Sequence, residues 1–290
     1  MKSAVLFIFV MLSFTALAQR RGCSAGTGED RDPLPNGYSI QVAAATDDAH
    51  AGPCYATITS SDGKKIYELY GNSLAIDPIS GSDVNGDGKP DAVLESAPAN
   101  AQSLYNYYIL TPGESPVLLR QLSVSVPLHF EDKLGDGKVE IWGRDFAFDG
   151  VENFDHSSSP FPLIFFRLRG NTLYDVSTLF WPEYEREIND AKAGISRDDI
   201  DQLTKQEGDH PKAAPEDDPK AQHLHDVQAL VLTVALDYLY AGRGPMAWRT
   251  IDDDWPILDH QRIRQVILER RMHGILAEIN KQPAATTASK

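Results

Sequence analysis

The chain has 290 residues, a formal net charge of -15 at neutral pH and 42% hydrophobic residues. That length allows one large domain or two small ones, and the apolar share is ordinary for a packed globular core. The acidity argues against nucleic acid and against anionic membrane surfaces, both of which need a basic footprint, and favours divalent cations.

The first 18 residues read as a secretory signal: Lys2, an apolar run over 4–17, and the small-residue cleavage site Ala16-Leu17-Ala18. The run is too short and wrongly flanked to span a bilayer. No later stretch does better, since Thr233 interrupts the apolar segment 227–236 and Asp237 follows it. Removing the signal takes away only Lys2 among the charges, which leaves 272 residues with net charge -16. The expected location is periplasmic or extracellular. Arginines precede Cys23 where a lipoprotein signal has small and apolar residues. Export permits a disulfide, and Cys23 with Cys54 is the minimum set; the alternative is two free thiols. Residues 19–37, rich in Gly, Arg, Asp and Pro, read as a flexible arm.

From residue 38 the pattern is β. The segments 38–42, 55–59 and 66–70 alternate, with Ser61-Asp62-Gly63-Lys64 as a turn between the last two. Residues 93–94 and 105–110 continue the series, and short strands between Gly, Asp and Pro turns mean antiparallel structure. Between two of them lies Asp83-Val84-Asn85-Gly86-Asp87-Gly88-Lys89-Pro90-Asp91. Oxygen-bearing side chains fall at alternate positions, and at Lys89 the backbone carbonyl can serve. Hard cations such as calcium take six to eight oxygens at about 2.3–2.6 Å. Gly86 and Gly88 supply the sharp bends.

The spacing starts like a helix-loop-helix calcium site, but Leu94 stands where that site has its bidentate Glu, and a short strand follows. The segment resembles instead the strand-loop-strand calcium loop of FG-GAP/VCBS repeats, as in integrin-type propeller blades. That resemblance implies a calcium site at Asp83, Asn85, Asp87, the Lys89 carbonyl and Asp91; the plainer alternative is a solvated turn with incidental acids. A second, degraded loop covers 132–140, its first position 49 residues later. Asp132, Asp136 and Glu140 match positions one, five and nine, but Leu134 replaces Asn85, so a hairpin turn competes with weak ion binding there. Residues 141–142 and 146–148 match the strand after the first loop, and 162–168 and 172–177 are further strands around the turn Arg169-Gly170-Asn171.

The β region 38–177 is too short for the four to eight blades of a closed propeller. A helix opens at Ser177, and Ser196 caps a second, completing a helical stretch 178–206. Residues 207–220 read as a linker. A helical cap follows over 221–281: a central helix over 224–240, apolar on nearly all faces, a second over 246–253, and a third capped by Asp259 with Ile263, Val266, Ile267, Ile275, Leu276 and Ile279 in one stripe. Residues 235–243 with Ala247-Trp248 resemble a single tetratricopeptide hairpin, and 282–290 is a tail. The fold class expected is α+β, an antiparallel β region of blade-like repeats that does not close, followed by a helical region.

No Gly-x-Ser-x-Gly elbow, His-Glu-x-x-His, phosphate loop or dinucleotide fingerprint occurs. His223 and His225 point to different sides of a helix and read as surface residues. Asp252-Asp253-Asp254 reads as a polar helix end. Tyr105, Tyr107, Tyr108, Trp142, Phe146 and Phe148 make a ligand platform if exposed and core if buried. The leading expectation is an exported, non-enzymatic, calcium-stabilised binding or scaffold module of the cell envelope with a protein or glycan ligand. The alternatives are a secreted hydrolase with a dispersed acidic site, and an interaction protein that uses a groove beside Tyr238 and Trp248.

Overall fold

A computed structural model describes residues 22–45, 52–98, 104–205 and 218–280. The expected signal (1–18), most of the expected linker (207–220) and the tail (282–290) lie outside the described residues.

Thirteen strands precede six α-helices among the described residues, and every strand pairing is antiparallel. The strands are β1 (Gly22–Ser24), β2 (Glu29–Pro33), β3 (Ser39–Ala44), β4 (Cys54–Thr59), β5 (Lys65–Gly71), β6 (Ser73–Ile76), β7 (Ala92–Ser96), β8 (Tyr105–Thr111), β9 (Val117–Val124), β10 (His129–Glu131), β11 (Glu140–Arg144), β12 (Leu163–Arg169) and β13 (Thr172–Asp175). They form three separate sheets, β2-β3-β4-β5, then β1-β6-β7-β8-β9, then β10-β11-β12-β13. Each is a four-strand meander, with β1 added at one edge of the second.

The sheets stack face to face in chain order. One face of the second sheet, through Ile76, Leu94 and Leu110, joins Ile40, Val42 and Ile58 of the first in one core. Its other face, through Val93, Tyr107 and Ile109, joins the third sheet and the helices in a second core. The third sheet is covered on both sides, which is why β12 reads Leu-Ile-Phe-Phe-Arg-Leu and is buried from Leu163 to Leu168. The array stops at the first sheet because its outer face is polar: Arg31, Gln41, Thr57 and Glu68 align across all four strands.

The expected flexible arm is corrected. Residues 22–24 and 29–33 are strands, tied in by pairing of Cys23 with Leu74 and of Arg31 with Gln41. Composition concealed them, because both lie at sheet edges with little buried apolar surface of their own. Cys23 and Cys54 are disulfide-bonded, Cα to Cα 5.7 Å, and the bond ties the edge of the second sheet to the middle of the first.

The helices are α1 (Trp181–Ala193), α2 (Arg197–Leu203), α3 (Pro219–Tyr240), α4 (Gly244–Asp254), α5 (His260–Arg271) and α6 (Ile275–Asn280). Ser196 caps α2 in a reciprocal box with Asp199. The helix α3 is buried along most of its length, so His225 is enclosed against Phe154 and not on the surface; His223 is exposed and pairs with Asp199. Asp252 and Asp253 at the end of α4 are balanced by Arg264 and Arg249. Three expectations fail here. Residues 146–148 form a 3-10 turn and not a strand, because the Asp145 carboxylate accepts from the Ala147 amide and closes the turn. The single helical stripe over 263–279 is broken at 272–274: Gly274 lies so close to that same carboxylate that a Cβ would sit 2.1 Å from its oxygen, and the Ile275 amide donates to it. Asp259 does not cap α5 with its side chain either; its carboxylate takes the Trp255 indole N–H and Arg262 instead.

Candidate functional site

The two acidic loops occupy equivalent places. The first joins β6 to β7 and the second joins β10 to β11, the first and second strands of their meanders. Their internal wiring matches. In the first, the Asp83 carboxylate accepts from the amides of Asp87 (3.1 Å) and Gly88 (2.7 Å), Asp87 from Lys89 (2.9 Å), and Asp91 from Val84 (2.9 Å). In the second, Asp132 accepts from Asp136 (3.0 Å) and Gly137 (2.9 Å), Asp136 from Lys138 (3.1 Å), and Glu140 from Lys133 (2.8 Å). The paired glycines have left-handed φ in both, 76° and 83° at Gly86 and Gly88, 68° and 78° at Gly135 and Gly137. A side chain is strained at such φ, which explains the Gly-x-Gly spacing.

The loops differ at the ninth position. Extending the β7–β8 ladder by one pair sets Asp91 opposite Thr111; extending β11–β12 sets Glu140 opposite Arg167. The Thr111 hydroxyl donates to Asp91 at 2.6 Å. Arg167, 5% exposed, donates through Nε to Glu140 at 2.5 Å and through its second nitrogen to both Asp136 oxygens at 3.0 and 3.1 Å. The second loop thus holds a guanidinium between its acids, and the first has only a hydroxyl at the matching place. Asp83, Asp87 and Asp91 make no ion pair among the described residues.

Asp91 is fully buried. Desolvation pushes its carboxyl up to about 6; hydrogen bonds from Thr111 and the Val84 amide oppose this, and the neighbouring Asp87 charge adds to it. Asn85 is buried too, and its side-chain oxygen accepts from the Asp87 amide at 2.9 Å. Asp83 is half-buried, while Asp87 and Lys89 are exposed. The donor set is all oxygen and suits a hard cation. Its carboxylates, however, are turned to the loop amides: among the described residues, no group of three or more His, Cys, Asp or Glu side chains converges as a metal site. The loop also joins the sheets. Val84 is in the core shared by the second and third sheets, and the Asn85 carbonyl accepts from the Gly170 amide at the β12–β13 turn.

A second feature is a cleft of about 430 Å³ between the third sheet and α1, lined in part by His129, Trp142, Phe146, Arg144, Glu183 and Glu187. Trp142 stacks on His129 at 4.4 Å and its indole N–H donates to Glu131. Two carboxylates face this cleft, but Glu187 is held by Arg144 and Glu183 by Lys133 and Arg186. Of the six aromatics singled out in the sequence, Tyr107 and Phe148 are core, and Trp142 and Phe146 are the two that reach the cleft. Of the two residues considered for a groove, Tyr238 is buried and stacks on Trp181, and Trp248 is half-buried with Arg264 over its ring.

Sequence reading missed Thr111 and Arg167. The available signal was an Arg in the middle of an apolar strand, which needs a buried anion to justify it. No helix among the described residues is long and apolar enough to cross a membrane. No family model, no curated protein and no solved structure matches this chain.

Proposed function

We propose that the chain is an exported binding or scaffold module in which calcium, held by the loop from Asp83 to Asp91, strengthens the junction between its second and third sheets. The observation that carries this reading is the contrast between the loops. The same backbone wiring recurs twice; one copy has a buried guanidinium among its acids, and the other carries three carboxylates and a buried amide within nine positions, with the exposed Lys89 as its one cationic side chain. Carboxylates so placed repel one another, and a divalent cation removes the repulsion. The ligands would be Asp83, Asn85, Asp87, the Lys89 carbonyl and Asp91. The disulfide suits an oxidising compartment outside the cytosol, as the signal-like N-terminus does. The cleft beside Trp142 is the place for a glycan or peptide ligand: it offers aromatic edges together with paired acids and bases, which serve as both donors and acceptors. Its two carboxylates also keep open a hydrolase reading, for which one would have to be released from its arginine or lysine partner.

Calcium that binds only the folded form at a hundredfold excess over Kd adds about 2.7 kcal/mol, a rise in melting temperature of about 5–10 °C for a chain of this size. EDTA therefore lowers the melting temperature of the purified mature protein by that amount, and Asp87→Ala abolishes the response. A melt indifferent to both calcium and chelator removes the proposal.

A further inference from the structure

We infer that Arg167 is a built-in cation of the second loop, so that this loop takes up no metal and the third sheet is held together independently of calcium. The geometry is that of a shared counterion. One guanidinium, enclosed on β12, reaches the ninth-position acid Glu140 through Nε and the fifth-position acid Asp136 through both of its oxygens. Glu140 is itself fully buried and its other oxygen is used by the Lys133 amide. The planar fork of arginine fits two carboxylates at once, which a point charge on lysine does not. The side chain also stands where Thr111 stands beside the first loop; the exposed Lys138 that pairs with Asp136 has its counterpart in Lys89, so it is the buried charge of Arg167 that the first loop lacks. Leu134, exposed and unable to ligate, agrees with a loop released from ion binding. This inference does not depend on calcium binding by the first loop.

Two measurements test it. In the first, calcium uptake is titrated calorimetrically in a variant carrying Asp83→Ala and Asp87→Ala, with Arg167 intact. The expected result is no saturable uptake at millimolar calcium. Residual uptake that disappears on adding Asp132→Ala overturns the inference. In the second, Arg167→Met is melted alone and together with Glu140→Gln. Removing one member of a buried pair leaves the other charge uncompensated, so Arg167→Met melts at least about 5 °C lower. Adding Glu140→Gln recovers half or more of that loss, with EDTA present throughout. Equal melting of Arg167→Met and wild type, or a further loss on adding Glu140→Gln, overturns it. Where Arg167→Met does not accumulate as folded protein, the first measurement decides alone. Failure of the first loop to bind calcium shows separately, as a wild-type titration without heat, and leaves the second measurement intact.

Discussion

Replacing Cys23 and Cys54 together by serine lowers the melting temperature by about 7–14 °C. The cross-link joins residues 31 apart in sequence, and closing a loop of that length removes about 3.5 kcal/mol of conformational freedom from the unfolded chain; at about 2–4 °C per kcal/mol this gives the stated shift. The folded state adds to the effect. The strand β1 is only three residues long and holds the edge of the second sheet through β6 alone, so without the bond little restrains it. Both sulfurs are enclosed, Cys23 at 1% and Cys54 at 0% exposure. Reductant therefore acts slowly on the native protein and quickly once it opens. Calorimetry of the double variant beside wild type reads the first effect, and amide exchange at Gly22 to Ser24 reads the second. Equal melts with equal exchange would mean that the N-terminal strand is held by pairing alone.

Asp237→Asn stabilises the protein, and does so increasingly as the pH is raised toward 8. Asp237 is on the buried face of α3, 2% exposed, and one of its carboxylate oxygens has no hydrogen-bond partner. Burial pushes its carboxyl up to about 8, the Glu187 charge pushes the same way, and Arg144 only partly opposes them. The unfolded chain ionises this group near pH 4. Between those values the folded form holds a proton that the unfolded form releases, so raising the pH favours unfolding, at up to about 1.4 kcal/mol per unit. The loss is absent below pH 4, grows through the window and is complete above pH 8, where it amounts to about 5–6 kcal/mol. Asparagine keeps the shape of the protonated acid and cannot ionise. The separation between variant and wild-type melting curves thus widens from pH 5 to pH 8 and then stays constant. Parallel curves across that range would show that Asp237 is ionised at no cost, with Arg144 as a sufficient partner.

Asp237 also shows why part of the candidate chemistry could not be read from residue order. In sequence it is the acid that ends an apolar run, equally suited to a solvated helix end. Its buried position follows from α3 being enclosed by α1, α4 and the third sheet. Asp145 is similar. One carboxylate accepts from the Ala147 amide, the Tyr240 hydroxyl at 2.7 Å and the Ile275 amide, residues up to 130 positions away. That convergence turned an expected strand at 146–148 into a turn and cut an expected helix at Gly274. Edge strands were illegible for another reason: β1 and β2 owe their structure to the partners beside them, and their own composition is that of a loop.

What residue order did determine is local. The alternation of oxygen-bearing side chains with glycine dictates both loops, because a tight turn directs every second side chain inward and only glycine relaxes at positive φ. Alternating and then continuous apolar runs dictate the strands, and the four-residue spacing of apolar side chains dictates the helices. The tertiary structure alone decided which charges meet. Ladder register set Arg167 against Glu140 and Thr111 against Asp91, giving two loops of the same design unlike electrostatic surroundings. A charge acts through distance and burial, and neither is fixed until strands far apart in the chain have paired.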